Sequence, residues 1–197
     1  CGANAECSVE YLVQFAYLGS FYASRALGME KPRVGLLNIG AEDTKGDQLR
    51  IDTYKALREA GDAGHLNFIG NIEAKDAIKG GCDVLVADGF SGNVLLKTVE
   101  GMGSFLGKEI KGMFLKSFTT KIAALLMKSG IAAFKDKLDP DTIGGTPFLG
   151  LTRPVIKAHG SSGARAIENA IYQAVMAAEG NMAADIEANI DLMRFDR

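Results

Sequence analysis

Histidine and cysteine are scarce in this 197-residue chain. The histidines are His65 and His159, and the cysteines are Cys1, Cys7 and Cys82. The cysteines form no CxxC pair and no cluster with a histidine, so the ligand spacings of a zinc site are missing and no metal is expected. So sparse and odd a count suits reduced thiols in a cytoplasmic protein. Long apolar runs are lacking as well. The longest, Ile122–Met127, falls far below the roughly 20 residues that cross a bilayer. A complete GxGxxG and a Walker loop are both absent, and no cofactor is expected. Basic charge is not in excess either. The net charge of −2 argues against a nucleic-acid partner.

What the sequence does contain is the material of a core. Hydrophobic residues make up 47% and charged residues 23%, the balance of a soluble globular protein that needs no disulfide or metal staple. The charge is unevenly placed. Residues 105–138 hold seven lysines against Glu109 and Asp136, so this stretch stands at +5 and the remainder at −7 within the total of −2. The chain opens on Cys1-Gly2-Ala3-Asn4 without an initiator methionine, which reads as a start inside a longer protein.

Hydrophobic periodicity predicts a helix over 8–27, where Leu12, Phe15, Ala16, Gly19 and Ala23 recur at helical spacing before Gly28. Short apolar runs at 33–38, 66–69 and 83–87 read as buried strands, each closed by a glycine-bearing turn. Helices are expected from the polar stretch after Asp47 to about Ala60, near 74–78, and again from about Gly92. Strands alternating with helices predict an α/β fold, three-layer α/β/α, around a mostly parallel Rossmann-like sheet. A further strand is expected at 155–157 and an alanine-rich helix over 163–179. Gly144-Gly145-Thr146-Pro147 and His159-Gly160-Ser161-Ser162-Gly163 read as loops. The chain is expected to form a single α/β domain, the C-terminal part of a longer chain, with a helical hairpin inserted at 105–138.

In an open α/β sheet, ligands bind beyond the strand C-termini. Three polar, glycine-bearing loops fall there: Asn38-Ile39-Gly40 with Lys45-Gly46, then Gly70-Asn71, then Asp88-Gly89-Phe90-Ser91-Gly92-Asn93. Glycines let backbone approach an anion, a helix N-terminus following such a loop offers N–H groups, and a lysine compensates charge. The pattern fits a phosphate site, although glycine-rich turns also arise wherever a tight turn needs positive φ.

The residues themselves narrow the choice. Leu36-Leu37-Asn38-Ile39-Gly40-Ala41-Glu42-Asp43-Thr44-Lys45-Gly46 resembles the LLNIGxExxKG stretch of the phosphate acyltransferase (acyl-ACP:phosphate acyltransferase, PlsX) family. Residues 67–73 resemble its NFIGNxE element and Asp83 to Asn93 its DVxVxDGFxGN element, continued by Leu96 to Gly101. Gly144 to Pro147 and His159 to Ser162 resemble its GGxP and HGSS elements. The five elements occur in the family's order along nearly the whole chain. The family's chain extends further at its N-terminus, with glycine-rich elements that this sequence lacks, and Gly2-Ala3-Asn4 resembles a GAN element partway along it.

The resemblance implies an enzyme that makes acyl phosphate from acyl carrier protein thioesters and inorganic phosphate, on a route to phospholipid. It implies a fold like that of phosphotransacetylases and isopropylmalate dehydrogenases, a homodimer, and a cytoplasmic enzyme that can associate peripherally with the inner face of the membrane. By the same resemblance Lys45 and Asn93 are the expected catalytic residues, with Asn38, Gly40, Asn71, Gly92 and His159 lining the substrate and phosphate site. Without it, Lys45 reads as a surface charge and Asn93 as a helix cap.

The apolar helical face of Phe114, Phe118, Ile122, Leu125 and Leu126, punctuated by Lys116, Lys121 and Lys128 and broken near Ser129-Gly130, suits contact with an anionic membrane surface or an acidic carrier protein. A packed dimer or core helix is the plainer reading. Two rival functions stay open at this point: a phosphotransacetylase-like enzyme using acyl-CoA, and an inactive carrier-binding or membrane-binding module.

Overall fold

Ser8 sets the start of the first helix, its hydroxyl accepting the Tyr11 N–H as an N-cap does. Helix α1 runs Val9–Leu27 and stops at Gly28, as the sequence reads. A computed structural model describes residues 2, 4–138, 144–158, 160, 162–180 and 182–194. After α1 come β1 (Val34–Asn38), α2 (Gln48–Asp62), β2 (Phe68–Glu73), α3 (Ala74–Ala77), β3 (Val84–Val86) and α4 (Gly89–Leu115). They are followed by α5 (Phe118–Leu126), α6 (Lys128–Leu138), β4 (Gly145–Phe148), β5 (Val155–Ala158), α7 (Ala164–Glu179) and α8 (Met182–Ala188). A 3₁₀ turn, Ile190–Met193, lies beyond α8.

The sheet has the order β2-β1-β3, with β1 parallel to both neighbours. The expected α/β class and parallel sheet are therefore present, in an arrangement consistent with a three-layer α/β/α fold. Parallel strands are joined through helices, so all three C-terminal ends share one edge. The chain divides into two compact units. One holds this sheet with α1, α2 and the residues from Gln173 onward; the other holds Leu95–Thr146 and Ile156–Tyr172.

The core of the first unit is built on one face of the sheet. Val34 and Leu36, two apart on β1, point the same way and are fully buried with Val86 of β3 and Phe68 of β2. Against them pack Leu12, Val13, Ala16 and Tyr17 from one stripe of α1, and Leu57 from α2. At about 25 cal/mol per Å² of apolar surface removed from water, such burial is the main force holding the helices to the sheet.

Four local readings of the sequence differ from the structure. Gly70-Asn71 does not close the second strand but lies inside β2. Val34 pairs with Phe68 and Gly35 with Gly70, so Ile69 is an extra residue, and this bulge lets the strand continue past the glycine. Helix α4 begins at Gly89 rather than Gly92, for a capping reason given below. Gly145-Thr146-Pro147 is not loop but part of β4, paired with β5. Here Gly144, at φ +91°, passes so close to α7 that a Cβ would lie 2.6 Å from the Ala166 carbonyl oxygen and nearer still to Asn169. Finally, the face from Phe114 to Leu126 is split. Ser117 and Thr120 form a reciprocal capping box that starts a new helix, and the next break falls at Met127, leaving Ser129 and Gly130 inside α6.

The opposite edge of the sheet is fastened by an arginine. The Arg33 guanidinium donates through Nε and Nη2 to the Asp83 carboxylate at 2.9 Å each, and its Nη2 also reaches the Gly80 carbonyl. The Arg33 backbone N–H donates to the same carboxylate at 2.8 Å. This clasp joins the start of β1 to the start of β3. The hydrogen bonds from the Arg33 side chain and backbone lower the Asp83 pKa to about 2. A depressed carboxylate contributes stability that is present above its unfolded value near ~3.9 and is lost as pH falls toward the folded value. Asp83→Asn is therefore expected to lower stability at neutral pH and to flatten the acid limb between about pH 4 and 2, read as denaturation midpoint against pH. An unchanged acid limb would show that the clasp is not a source of acid sensitivity.

Candidate functional site

Strand β1 ends on Asn38, which is buried and unable to reach water. Its amide finds partners in the loop that follows. Nδ2 donates to the Lys45 carbonyl at 2.9 Å, and Oδ1 accepts the Ile39 N–H at 2.8 Å. Asn71, buried on the neighbouring strand β2, donates through Nδ2 to the Glu42 carbonyl at 2.8 Å. The Lys45 N–H bonds the Glu42 carbonyl within the loop. Two buried amides thus hold the loop at Glu42 and Lys45, each satisfying backbone groups that would otherwise be costly to desolvate. The Oδ1 of Asn71 is buried with no partner among the described residues. Gly40 is packed beneath the Glu42 and Lys45 side chains.

Strand β3 leads through Ala87 to Asp88, whose side chain is only 6% exposed. The carboxylate accepts the Phe90 N–H at 2.9 Å, the Ser91 N–H at 2.7 Å and the Ser91 hydroxyl at 2.8 Å. It is the N-cap of α4, and this is why the helix begins earlier than the apolar pattern indicates. Arg50, in the first turn of α2, pairs with Asp88 and donates to the Ser91 hydroxyl at 3.2 Å. The same guanidinium bonds Asp47 at 2.9 Å, and Asp47 caps α2 by accepting the Arg50 N–H. Burial pushes the Asp88 carboxyl up, but the Ser91 hydrogen bonds, the Arg50 charge and the Phe90 N–H outweigh it, and the net shift is downward. Asp88 stays ionised at neutral pH.

The N-terminus of α4 therefore differs from the expectation of an open anion site. In α4 the Gly89 N–H donates to the Asn4 carbonyl and the Gly92 N–H to the Asp88 carbonyl, and those of Phe90 and Ser91 go to the Asp88 carboxylate. All four leading N–H groups are committed within the protein. Two exposed side chains at this edge are the candidate donors. Lys45 is exposed on its pinned loop, and Asn93 is exposed one turn inside α4 rather than at its cap. Neither side chain bonds to a described residue. Gly92, beside Asn93, is buried. Ile39 and Phe90 stand largely exposed, at 82% and 68%, on the same two loops.

Residues 1–185 match the family described as "Fatty acid synthesis protein". The chain belongs to this family. It is 50% identical over 173 residues to a protein named phosphate acyltransferase from Brevibacillus brevis, covering 88% of this chain and 50% of that one. It is 46% identical over 195 residues to one of the same name from Lysinibacillus sphaericus, covering 99% and 58%, and 43% identical over 186 residues to another from Clostridioides difficile, covering 94% and 54%. The chain spans about half the length of the curated relatives it matches.

Of the residues singled out in this family member's sequence, Asn38, Gly40, Lys45, Asn71, Gly92 and Asn93 all belong to the first unit. Their loops leave adjacent parallel strands or, for Asn71, lie within one. His159 lies outside the described residues. Asp47, Arg50, Asp88 and Ser91 were not singled out as a network. Their signal is local: Asp47 stands three before Arg50, and Asp88 three before Ser91, the spacing of an N-cap and the residue it caps. The carboxylates of Asp83 and Asp88 are each engaged by an arginine. Burial pushes the thiols of Cys7 and Cys82 up, away from the thiolate form a nucleophile needs.

In the second unit Phe118, Ile122, Leu125 and Leu126 are exposed at 46% or more. Lys116, Lys121 and Lys128 are exposed beside them, and Phe114 is half-buried. Among the described residues no helix is long and apolar enough to cross a membrane.

Gly46 makes the pinned loop possible. It sits at φ +94°, and a Cβ there would lie 2.7 Å from Asn38 Oδ1 and 2.8 Å from Arg50 Cβ. Gly46→Ala is expected to cost about 1–3 kcal/mol from backbone strain alone, with more from the displaced Asn38 amide, measured by chemical denaturation. A midpoint equal to that of the unsubstituted protein would show that the loop is not held as described.

Proposed function

We propose that this chain is the part of a phosphate acyltransferase that holds inorganic phosphate and transfers to it the acyl group of an acyl carrier protein thioester. The observation that supports this most is the pairing of a loop tied at two points to the sheet with a cation that bonds none of the described residues. Lys45 is exposed, and its own loop is fixed by Asn38 and Asn71 at the C-terminal edge of a parallel sheet. The names of the relatives, phosphate acyltransferase, supply the reaction, and the family's place in fatty acid synthesis favours a fatty acyl donor.

The chemistry asks little of the protein beyond placement and charge. A phosphate oxygen attacks the thioester carbonyl carbon, a C–O bond forms, and the tetrahedral oxyanion collapses with breakage of the C–S bond and departure of the carrier's thiolate. Phosphate is already anionic at neutral pH, so no serine or cysteine nucleophile is needed. Lys45 would pair with phosphate and with the charge that develops during attack, and Asn93 would donate its side-chain N–H to phosphate or oxyanion. Asn38, Gly40, Asn71 and Gly92 would shape the floor of the site. Ile39 and Phe90 offer apolar surface to the acyl end of the donor.

The exposed stripe from Phe114 to Leu126 with its lysines would rest on an anionic membrane surface, where an acyl product is delivered. A homodimer and a cytoplasmic enzyme that docks on the inner face of the membrane complete the reading.

In the full-length gene product, Lys45→Ala and Asn93→Ala are each expected to lower kcat by about 10²–10³-fold, with the fold unchanged by circular dichroism. The readout is acyl phosphate formed from acyl carrier protein thioester and phosphate. Near-normal turnover in both variants would remove these residues from the mechanism, and a preference for acyl-CoA over the carrier thioester would favour a phosphotransacetylase-like enzyme. Combined charge reversal at Lys116, Lys121 and Lys128 to glutamate is expected to weaken sedimentation with phosphatidylglycerol vesicles, each lysine near the surface contributing about 1 kcal/mol. Unchanged sedimentation would assign the stripe to a protein partner instead.

A further inference from the structure

The Arg50 side chain bonds to both candidate loops. It bonds Asp47, two residues after Lys45, and it bonds Asp88 and Ser91, the latter two residues before Asn93. The two loops leave β1 and β3, which are neighbours in the sheet. The Arg50 side chain is 18% exposed and that of Asp88 6%, so the pairing is largely shielded from water. Asp88 in turn holds the first two side-chain-capped N–H groups of α4. A shift of Asp88 is thereby carried into the helix turn that bears Asn93.

We propose that Arg50 is a positioning residue for acyl transfer, setting the distance between Lys45 and Asn93 by clamping Asp47 to the Asp88–Ser91 turn. This rests on the reading of Lys45 and Asn93 as the groups that hold phosphate. Arg50 itself does not touch the reacting atoms. Its planar fork is the feature that matters. It serves three acceptors on two loops at once, which a lysine ammonium, with one nitrogen on a flexible stem, does not reproduce. The effect belongs to phosphate more than to the acyl donor, because the clamp spaces the two anion-holding side chains and bonds neither the Ile39 nor the Phe90 side chain.

The test is steady-state kinetics of the full-length gene product and its Arg50→Lys and Asp88→Asn variants. Each is assayed with varied phosphate and then with varied acyl carrier protein thioester. Arg50→Lys keeps the charge beside Asp88 and is expected to unfold near the temperature of the unsubstituted protein. Its KM for phosphate is expected to rise and its kcat to fall, together lowering kcat/KM for phosphate by about 10- to 100-fold, while KM for the acyl donor stays within about twofold. A merely structural role would change the unfolding temperature and leave both constants of the folded enzyme alone. A folded Arg50→Lys variant with unsubstituted kcat and phosphate KM overturns the proposal. If that variant fails to fold, Asp88→Asn decides, since it keeps the capping oxygen for α4 and puts an amide nitrogen in place of the oxygen that Arg50 and the Ser91 hydroxyl share. The same selective loss supports the clamp, and unaltered constants overturn it. An unsubstituted enzyme that makes no acyl phosphate overturns the functional reading and the clamp together, whereas an active one matched by both variants overturns the clamp alone.

Discussion

The carboxylate of Asp88, buried at the end of β3, is the group on which the functional edge depends. A buried charge is tolerated only when it is paired and hydrogen-bonded, and Asp88 meets that condition with two backbone N–H groups, one hydroxyl and one guanidinium. Satisfying it fixes three things at once. It begins α4 at Gly89, it brings α2 to the edge through Arg50, and it occupies the helix N-terminus where an anion would otherwise bind. The protein supplies its own anion to that helix end. The phosphate reading then falls on side chains, Lys45 and Asn93, with the leading backbone donors of α4 already in use.

A second pair of buried groups does for the first loop what Asp88 does for the second. Asn38 and Asn71 sit on adjacent strands and reach the Lys45 and Glu42 carbonyls. The loop is short of internal structure, with a single Lys45 to Glu42 backbone bond, yet it is tied at two points to the sheet. Rigid placement of an exposed cation is what electrostatic stabilisation of a developing charge requires, since the charge need not reorganise during the reaction. The exposed apolar helices of the second unit contrast with this, offering contact area without any arrangement of polar groups directed at chemistry.

Much of this was legible in the sequence, and the parts that were not share a cause. Helix α1 and strands β1 and β3 were readable because their apolar spacing is strong and glycine or proline marks their ends. The glycine-bearing loops after β1 and β3 were readable from their turn chemistry, whereas Lys45 and Asn93 alone read as a surface charge and a helix cap and were singled out only by the family resemblance. The extension of β2 through Asn71 was hidden because a glycine after an apolar run looks like a turn, and only pairing with β1 shows it to be a bulge. Strand β4 was hidden because Gly144-Gly145 looks like loop, while its actual demand is close passage beside α7. Arg50 was hidden for the most general reason. Its partner Asp88 is 38 residues away, and no local pattern reports such a pairing. The capping role of Asp88 did leave a local trace, in its spacing to Ser91, and that trace also gives the true start of α4.

The central claim is that the anion at this edge is held by the side chains of Lys45 and Asn93 and not by the N-terminus of α4. A crystal structure of the full-length gene product soaked with tungstate, a tetrahedral oxyanion located by its anomalous scattering, tests it most directly. The account predicts a tungstate peak within hydrogen-bonding reach of Lys45 Nζ and the Asn93 side-chain amide, with Asp88 still capping α4 and still paired with Arg50. A peak seated on the backbone N–H groups of Phe90 and Ser91, with the Asp88 carboxylate displaced, would contradict it.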